Sequence, residues 1–337
     1  SLQALRKMMI AGYVEKDGHP WTNLDGKVQL RVFDSRKNQT YETEYGTKIQ
    51  YKLEGNAIFR GIAPVANGRF RVEFIVPKDI SYGGQDGRIS LYLWNEDSDG
   101  TGIYENMVVG GTAVDLVDYE GPIMHLHFGN LDFAPGDYVV INPTLYVEIA
   151  DSLSGVNIAG DIGHEIMMTL DEDFVNSKDI TEYFQYHEGS YTSGTVTYPL
   201  RDISPGEHTI QVKAWDNSNN STIITSFFTV ATDEELKVRN LLNYPNPMHN
   251  RTTFTFELSH DAEVTLRIFT VAGRLIKKFD PVYAHVGYNV FPTDWDGTDD
   301  DGDKLANGVY LYKITATSQQ NGEWRTTEKI EKLIIAN

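Results

Sequence analysis

The sequence predicts an all-β protein built of antiparallel β-sandwiches in series, and three observations predict it. Apolar and polar residues alternate with period two in one short run after another. Clusters of Gly, Asn, Asp and Pro break these runs every ten or so residues, as hairpin turns require. No stretch longer than about two helical turns carries a 3.6-residue period.

Taken in order, Val28, Leu30 and Val32 alternate with Gln29 and Arg31, and Val72 and Phe74 with Arg71 and Glu73. Ile89, Leu91 and Leu93 flank Ser90 and Tyr92 in the same way. Later runs cover 144–149, 209–215 and 264–269, and the chain closes on an apolar run at 329–335. Each predicts a strand with one wet face and one face turned to a core. Trp215 ends the 209–215 run, and we expect it in the core of the central sandwich. Ile210, Val212 and Ala214 share the opposite face, so a bulge or a covering segment must bury it. Short helices are expected only at the first eight residues and at 232–236.

Acidic, polar stretches near 114–121 and 231–235 divide the chain into three pieces, 1–115, 116–233 and 234–337. Each has the size of one sandwich, about 100 residues.

The 337 residues carry 29 Lys+Arg against 48 Asp+Glu, a formal charge of -19. That sign repels phosphate backbones, and no basic stripe offsets it, so nucleic acid is excluded as a partner. No apolar run reaches the roughly 20 residues of a spanning helix, so no transmembrane segment is expected. Cysteine is absent, which removes disulfides, thiolate zinc sites and a cysteine nucleophile from this stretch. Ser1 to Ile10 hold no initiator Met and no apolar signal core. The beginning reads as a cut inside a longer polypeptide.

Two acidic loops are candidate calcium sites, the only cofactor expected. Asn95, Asp97 and Asp99, followed by Gly100, match the first half of a calcium loop, where alternate residues turn oxygens inward. Position 12 holds Asn106 in place of the bidentate Glu, and an acidic hairpin tip is the simpler reading. Asp299, Asp301 and Asp303 repeat the spacing inside a run of six carboxylates from Asp294 to Asp303. Gly308 stands at the anchoring position there, and Asp-Gly turn chemistry explains the same residues. His125 and His127 fall on one strand face at a spacing metal sites use, with no third ligand in view, and exposed strand histidines are the expected state. His164 and Glu165 begin a zincin-like pattern that ends at Met168. No Gly-x-Ser-x-Gly elbow occurs, and no catalytic residue is assigned. Trp21, Trp94, Trp295 and Trp324 offer stacking surfaces for sugars without further support.

The last hundred or so residues carry a pattern: Leu242 to Pro247, Thr252 to Phe256, Ala272-Gly273-Arg274, Trp295 to Asp299, and Gly302 to Tyr310 before the closing strand. This resembles the FlgD-type immunoglobulin-like module that serves as the C-terminal sorting domain of type IX secretion cargo. Upstream, Phe59-Arg60-Gly61, Asn67 to Phe70, Phe74 to Ile80, Gly87 to Ser90, Asp151 to Asn157, Ile162 to Glu165, Gly194 to Leu200, Pro205 to Thr209 and Lys213 to Asn217 follow in order. They resemble the sandwiches behind the peptidase of PorU-like type IX sortases, a gingipain-type cysteine peptidase family. The resemblance implies immunoglobulin-like domains, export to the cell surface, and a catalytic half upstream. It implies an outer-membrane barrel partner, an attachment complex and cargo sorting domains as partners. A surface adhesin or glycan-binding protein, or a gingipain-like cargo peptidase, ending in such a sorting domain is the alternative.

Overall fold

The computed structural model describes residues 1–81, 86–113, 116–129, 133–159, 163–231 and 236–336. Strands dominate, with two single-turn 3-10 segments at Phe174–Asn176 and Thr181–Tyr183. The all-β, immunoglobulin-like class read from the sequence holds. No helix among the described residues is long and apolar enough to cross a membrane.

The N-terminal strands are β1 (Leu2–Ala4), β2 (Lys7–Tyr13), β3 (Glu15–Lys16), β4 (His19–Pro20), β5 (Gly26–Phe33), β6 (Lys37–Glu42), β7 (Lys48–Leu53), β8 (Ala57–Ala66), β9 (Arg69–Ile75), β10 (Asp86–Trp94) and β11 (Asp99–Thr112). Seven form one sheet in the order β1-β11-β10-β5-β8-β9-β2. Alternation dictates its faces: Val28, Leu30 and Val32 are buried while Arg31 is exposed. Phe59 and Phe74 stack at 4.7 Å between centroids beneath them. The expected helix over the first eight residues is a correction. Leu2 and Ala4, two apart, are fully buried and pair with Val109 and Thr112 of β11. Leu5 then takes φ of 61° and the chain turns into β2. Eight residues are too few to hold a helix by local bonds, so the pairing offered by β11 and β9 wins. β6 and β7 form a separate two-stranded ribbon, exposed at every position.

The central strands are β12 (Ile123–Phe128), β13 (Tyr138–Val139), β14 (Thr144–Ala150), β15 (Met167–Leu170), β16 (Lys178–Asp179), β17 (Phe184–Tyr186), β18 (Ser193–Pro199), β19 (Gly206–Trp215) and β20 (Ser221–Val230). They make sheets of order β12-β14-β18-β17 and β13-β20-β19-β15-β16. Ile210, Val212 and Ala214 are fully buried. Trp215 is only half-buried on the other face, against the expectation of a core residue. Lys213 Nζ lies 4.1 Å above its ring and the His164 imidazole meets it edge-on at 4.5 Å. His127 is a second correction, buried at 6% exposure while His125 is exposed. Phe128 beside it is also buried, so the alternation fails at the end of β12.

The C-terminal strands are β21 (Val238–Tyr244), β22 (Thr253–Leu258), β23 (Ala262–Thr270), β24 (Leu275–Lys278), β25 (Val282–Ala284), β26 (Gly287–Val290), β27 (Gly308–Gln320) and β28 (Glu323–Ile335). A β21-β22-β26 sheet faces a β24-β23-β27-β28 sheet in which β25 also pairs β23. Phe254, Phe256, Leu266, Ile268, Tyr312 and Leu333 fill the space between them. The short helix expected at 232–236 falls, save for Leu236, outside the described residues. By packing, the chain forms two compact units: Ser1–Leu126 with Leu145–Tyr198 and Ile210–Thr225, and His127–Thr144 with Pro199–Thr209 and Ser226–Asn337.

Candidate functional site

Asn95 and Asp97 lie in the four-residue tip joining β10 to β11, and Asp99 opens β11 opposite Trp94. Asn95 Oδ1 accepts the backbone N–H of Asp97 at 3.0 Å and of Ser98 at 2.8 Å. Asp99 Oδ2 accepts the Tyr92 hydroxyl at 3.2 Å. These bonds build the hairpin tip itself, as short polar side chains do in turns.

The second loop is organised in the same manner. Asp299 Oδ1 accepts the N–H groups of Asp301 at 3.0 Å and Asp303 at 2.9 Å. Asp296 accepts the Thr298 hydroxyl at 2.6 Å, which leads in holding its carboxyl below the usual range. Trp295, 1% exposed, roots the loop by donating Nε1–H to Thr298 O at 2.8 Å. Lys277 lies 3.6 Å from Asp300 and Lys304 lies 3.9 Å from Asp296, so cationic side chains already face part of the acidic run.

The convergent carboxylates among the described residues are others. Asp118, Asp151 and Asp216 each place an oxygen within 4.8 Å of the other two. Asp216 is fully buried and Asp151 is 8% exposed. Asp151 Oδ1 accepts N–H bonds from Leu153, Ser154 and Gly155 at 3.1, 2.7 and 3.0 Å. Asp216 accepts from Ser218 and Asn220 N–H at 2.9 and 2.7 Å and from Asn220 Nδ2 at 2.7 Å. Burial pushes the Asp216 carboxyl above its ordinary range; the Asn220 bonds oppose this, and Asp151 adds repulsion. A hard cation is the ligand such oxygens would accept. Sequence reasoning missed the cluster because Asp151 and Asp216 stand 65 positions apart, at the foot of different strands. The signal available was a pair of Asp-led turns, at 151–155 and 216–220.

Two histidine clusters have hydrolytic ingredients without hydrolytic geometry. His164 Nδ1 lies 2.6 Å from Asp79 Oδ2, but no hydroxyl bonds its other nitrogen among the described residues. His187 contacts Ser193 Oγ at 3.2 Å and Glu148 at 3.4 Å just past the end of β17, on an open face where its side chain is 52% exposed. An open face supplies neither oxyanion donors nor exclusion of water.

What these elements define is a set of rigid sandwiches with turn-building acids and no assembled catalytic centre among the described residues. Residues 247–320 match the FlgD Ig-like domain family. Over 99% of its length the chain aligns with the crystal structure of dimeric latent PorU from Porphyromonas gingivalis, at 28% identity and a TM-score of 0.42. It spans 32% of that chain. A Bacteroides ovatus mixed-linkage glucan utilization locus protein, SGBP-B, in complex with a heptasaccharide, is 10% identical with a TM-score of 0.26. That alignment covers 99% of this chain and 65% of the other. An Escherichia coli alpha-2-macroglobulin is 11% identical with a TM-score of 0.22, over 99% of this chain and 34% of that one. At these scores the superpositions carry no argument about function. No curated protein matches the sequence.

Proposed function

We propose that the chain is the non-catalytic C-terminal part of a PorU-like type IX secretion sortase, closed by a sorting and docking module. The observation that carries this reading is the FlgD Ig-like match at 247–320, standing last in a chain whose upstream segments resemble the sortase sandwiches in order. In the parent protein an upstream cysteine peptidase half would cut cargo sorting domains and join cargo to the cell surface. The part described here would hold that half outside the cell and meet an outer-membrane barrel and its attachment complex. The acidic composition, the lack of cysteine and the wet-faced strands suit an exported, surface-held scaffold.

The test separates folding from sorting within the full-length protein. Trp324 and Ile330 are 70% and 55% exposed on β28, so Trp324→Ala with Ile330→Asp changes the surface and spares the core. We expect this variant to melt with the wild type yet to lose surface retention in cell fractionation. Retention at the wild-type level by this variant, and by one lacking 329–337 whose other sandwiches remain folded, would remove the sorting role. An adhesin or glycan-binding protein would in addition bind cells or sugars without any processed cargo.

A further inference from the structure

The carboxylates of Asp118, Asp151 and Asp216 gather three separate stretches of the chain. Asp151 follows β14 and Asp216 follows β19, and these strands belong to the two different sheets of the central sandwich. Asp118 lies on the link from β11 to β12. Asn220 Nδ2 donates both to the Asp118 backbone oxygen at 3.1 Å and to Asp216 Oδ2 at 2.7 Å. The 216–220 turn also reaches the segment after β9. Asn217 O accepts the Lys78 N–H at 2.8 Å, and Asn219 Nδ2 donates to Asp79 Oδ1 at 2.8 Å.

Neither charge nor hydrogen bonding closes at this junction. No lysine, arginine or histidine pairs with the three carboxylates among the described residues, whereas Lys277 and Lys304 face the 294–303 run. Asp118 Oδ2 is sealed from solvent and accepts no hydrogen bond, while its other oxygen takes the Glu120 N–H at 3.1 Å. A neutral side chain repeats the pattern. Asn217 is 2% exposed, and its amide bridges the two Asp-led turns by donating to Ser154 O at 2.8 Å, yet its Oδ1 has no partner. Ser218 Oγ and Asn219 Oδ1 are likewise buried and unpartnered. Buried oxygens almost always find a donor, and buried charges need a counter-charge. Residues of the chain itself seal these atoms, so the missing partner is an ion rather than further polypeptide.

An all-oxygen set with neither histidine nor cysteine selects a hard cation. Magnesium demands a near-ideal octahedron and keeps its waters, whereas calcium accepts about six to eight oxygens in irregular cages. We propose that Asp118, Asp151 and Asp216 hold a calcium ion that clamps the two sheets of the central sandwich to the incoming link. Asp118 is partly exposed, which gives the ion its way in. The inference places calcium away from the 95–99 and 299–303 loops, and it stands without the sorting role.

The probes are terbium and then calcium, added to the full chain after stripping with EGTA. Trp215 directly precedes Asp216, so exciting tryptophan should give saturable terbium emission that calcium displaces. Trp215→Phe should dim that emission and leave the effect of calcium on melting in place. Calcium at about a hundredfold excess over its Kd should raise the melting temperature by roughly 5 °C, and magnesium should not. Asp118→Asn, on the link and outside the cores, should melt like the wild type in EGTA yet bind calcium at least about tenfold more weakly. Asp216→Asn should weaken binding by at least as much, and Asp97→Asn combined with Asp299→Asn should keep the full shift. No calcium-dependent shift up to about 10 mM, an equal shift with magnesium, or one that survives both Asp118→Asn and Asp216→Asn overturns the proposal. So does loss of the shift in the Asp97→Asn, Asp299→Asn double variant.

Discussion

Glu257 is 1% exposed, and its carboxylate is fully committed. Arg239 donates to it through Nε at 2.7 Å and through a terminal nitrogen at 2.8 Å, while Asn240 Nδ2 and the Tyr138 N–H add bonds of 2.9 and 2.6 Å. Arg239 also stacks 3.8 Å over the Tyr138 ring. Removing one partner of such a pair leaves a buried charge behind, so Arg239→Ala should cost about 3 kcal/mol in denaturant unfolding. Asp137 lies in the same cluster, its carboxyl pushed up first by burial and then by Glu257, against a backbone bond from Ala134. An acid whose folded pKa is raised costs stability when ionised, and the cost fades as pH falls below the ordinary carboxylate range. Asp137→Asn should therefore stabilise the fold at pH 7, with the gain vanishing in acid. A gain that persists or grows in acid would show the sign to be wrong. None of this was visible in sequence, because Asp137, Arg239 and Glu257 meet only through folding. Trp215 shows the converse: the alternation placed it opposite the core, and there it stands half-buried.

At the scale of elements, legibility followed periodicity. The runs at 28–33, 89–93, 144–149 and 264–269 all lie within strands, because one buried face fixes which residues alternate. β1 escaped notice because Leu2 and Ala4 pair with residues more than a hundred positions away, a contact no local pattern encodes. The acidic loops were found as sequences but not as geometry: side-chain oxygens that could face a cation hold turn N–H groups. β28 yields a prediction of its own. Leu333 is fully buried between the C-terminal sheets and Ile330 is 55% exposed on the same strand. Leu333→Ala should destabilise the module by about 3 kcal/mol, whereas Ile330→Ala should stay within roughly 0.5 kcal/mol of wild type. Equal losses in thermal unfolding would mean that this strand is covered on both faces.

For the whole molecule, fold class came easily from composition and pattern, and function did not. Sandwiches bury their apolar faces by the same rules whatever they serve, so their cores say little about role. What distinguishes this chain is the order of its segments and the FlgD Ig-like match at 247–320. With a formal charge of -19 and no cysteine, it lacks the thiolate that a cysteine peptidase needs. If the proposed function holds, the chemistry belongs to polypeptide upstream of Ser1. The direct measurement is to isolate the protein from its native source, map it by mass spectrometry from its N-terminus to Ser1, and label it with an active-site thiol reagent. The proposed function predicts a cysteine peptidase domain joined to Ser1, with a single labelled cysteine inside it. A mature N-terminus at or near Ser1 with no peptidase domain attached, or an upstream adhesin domain that takes no label, would contradict it.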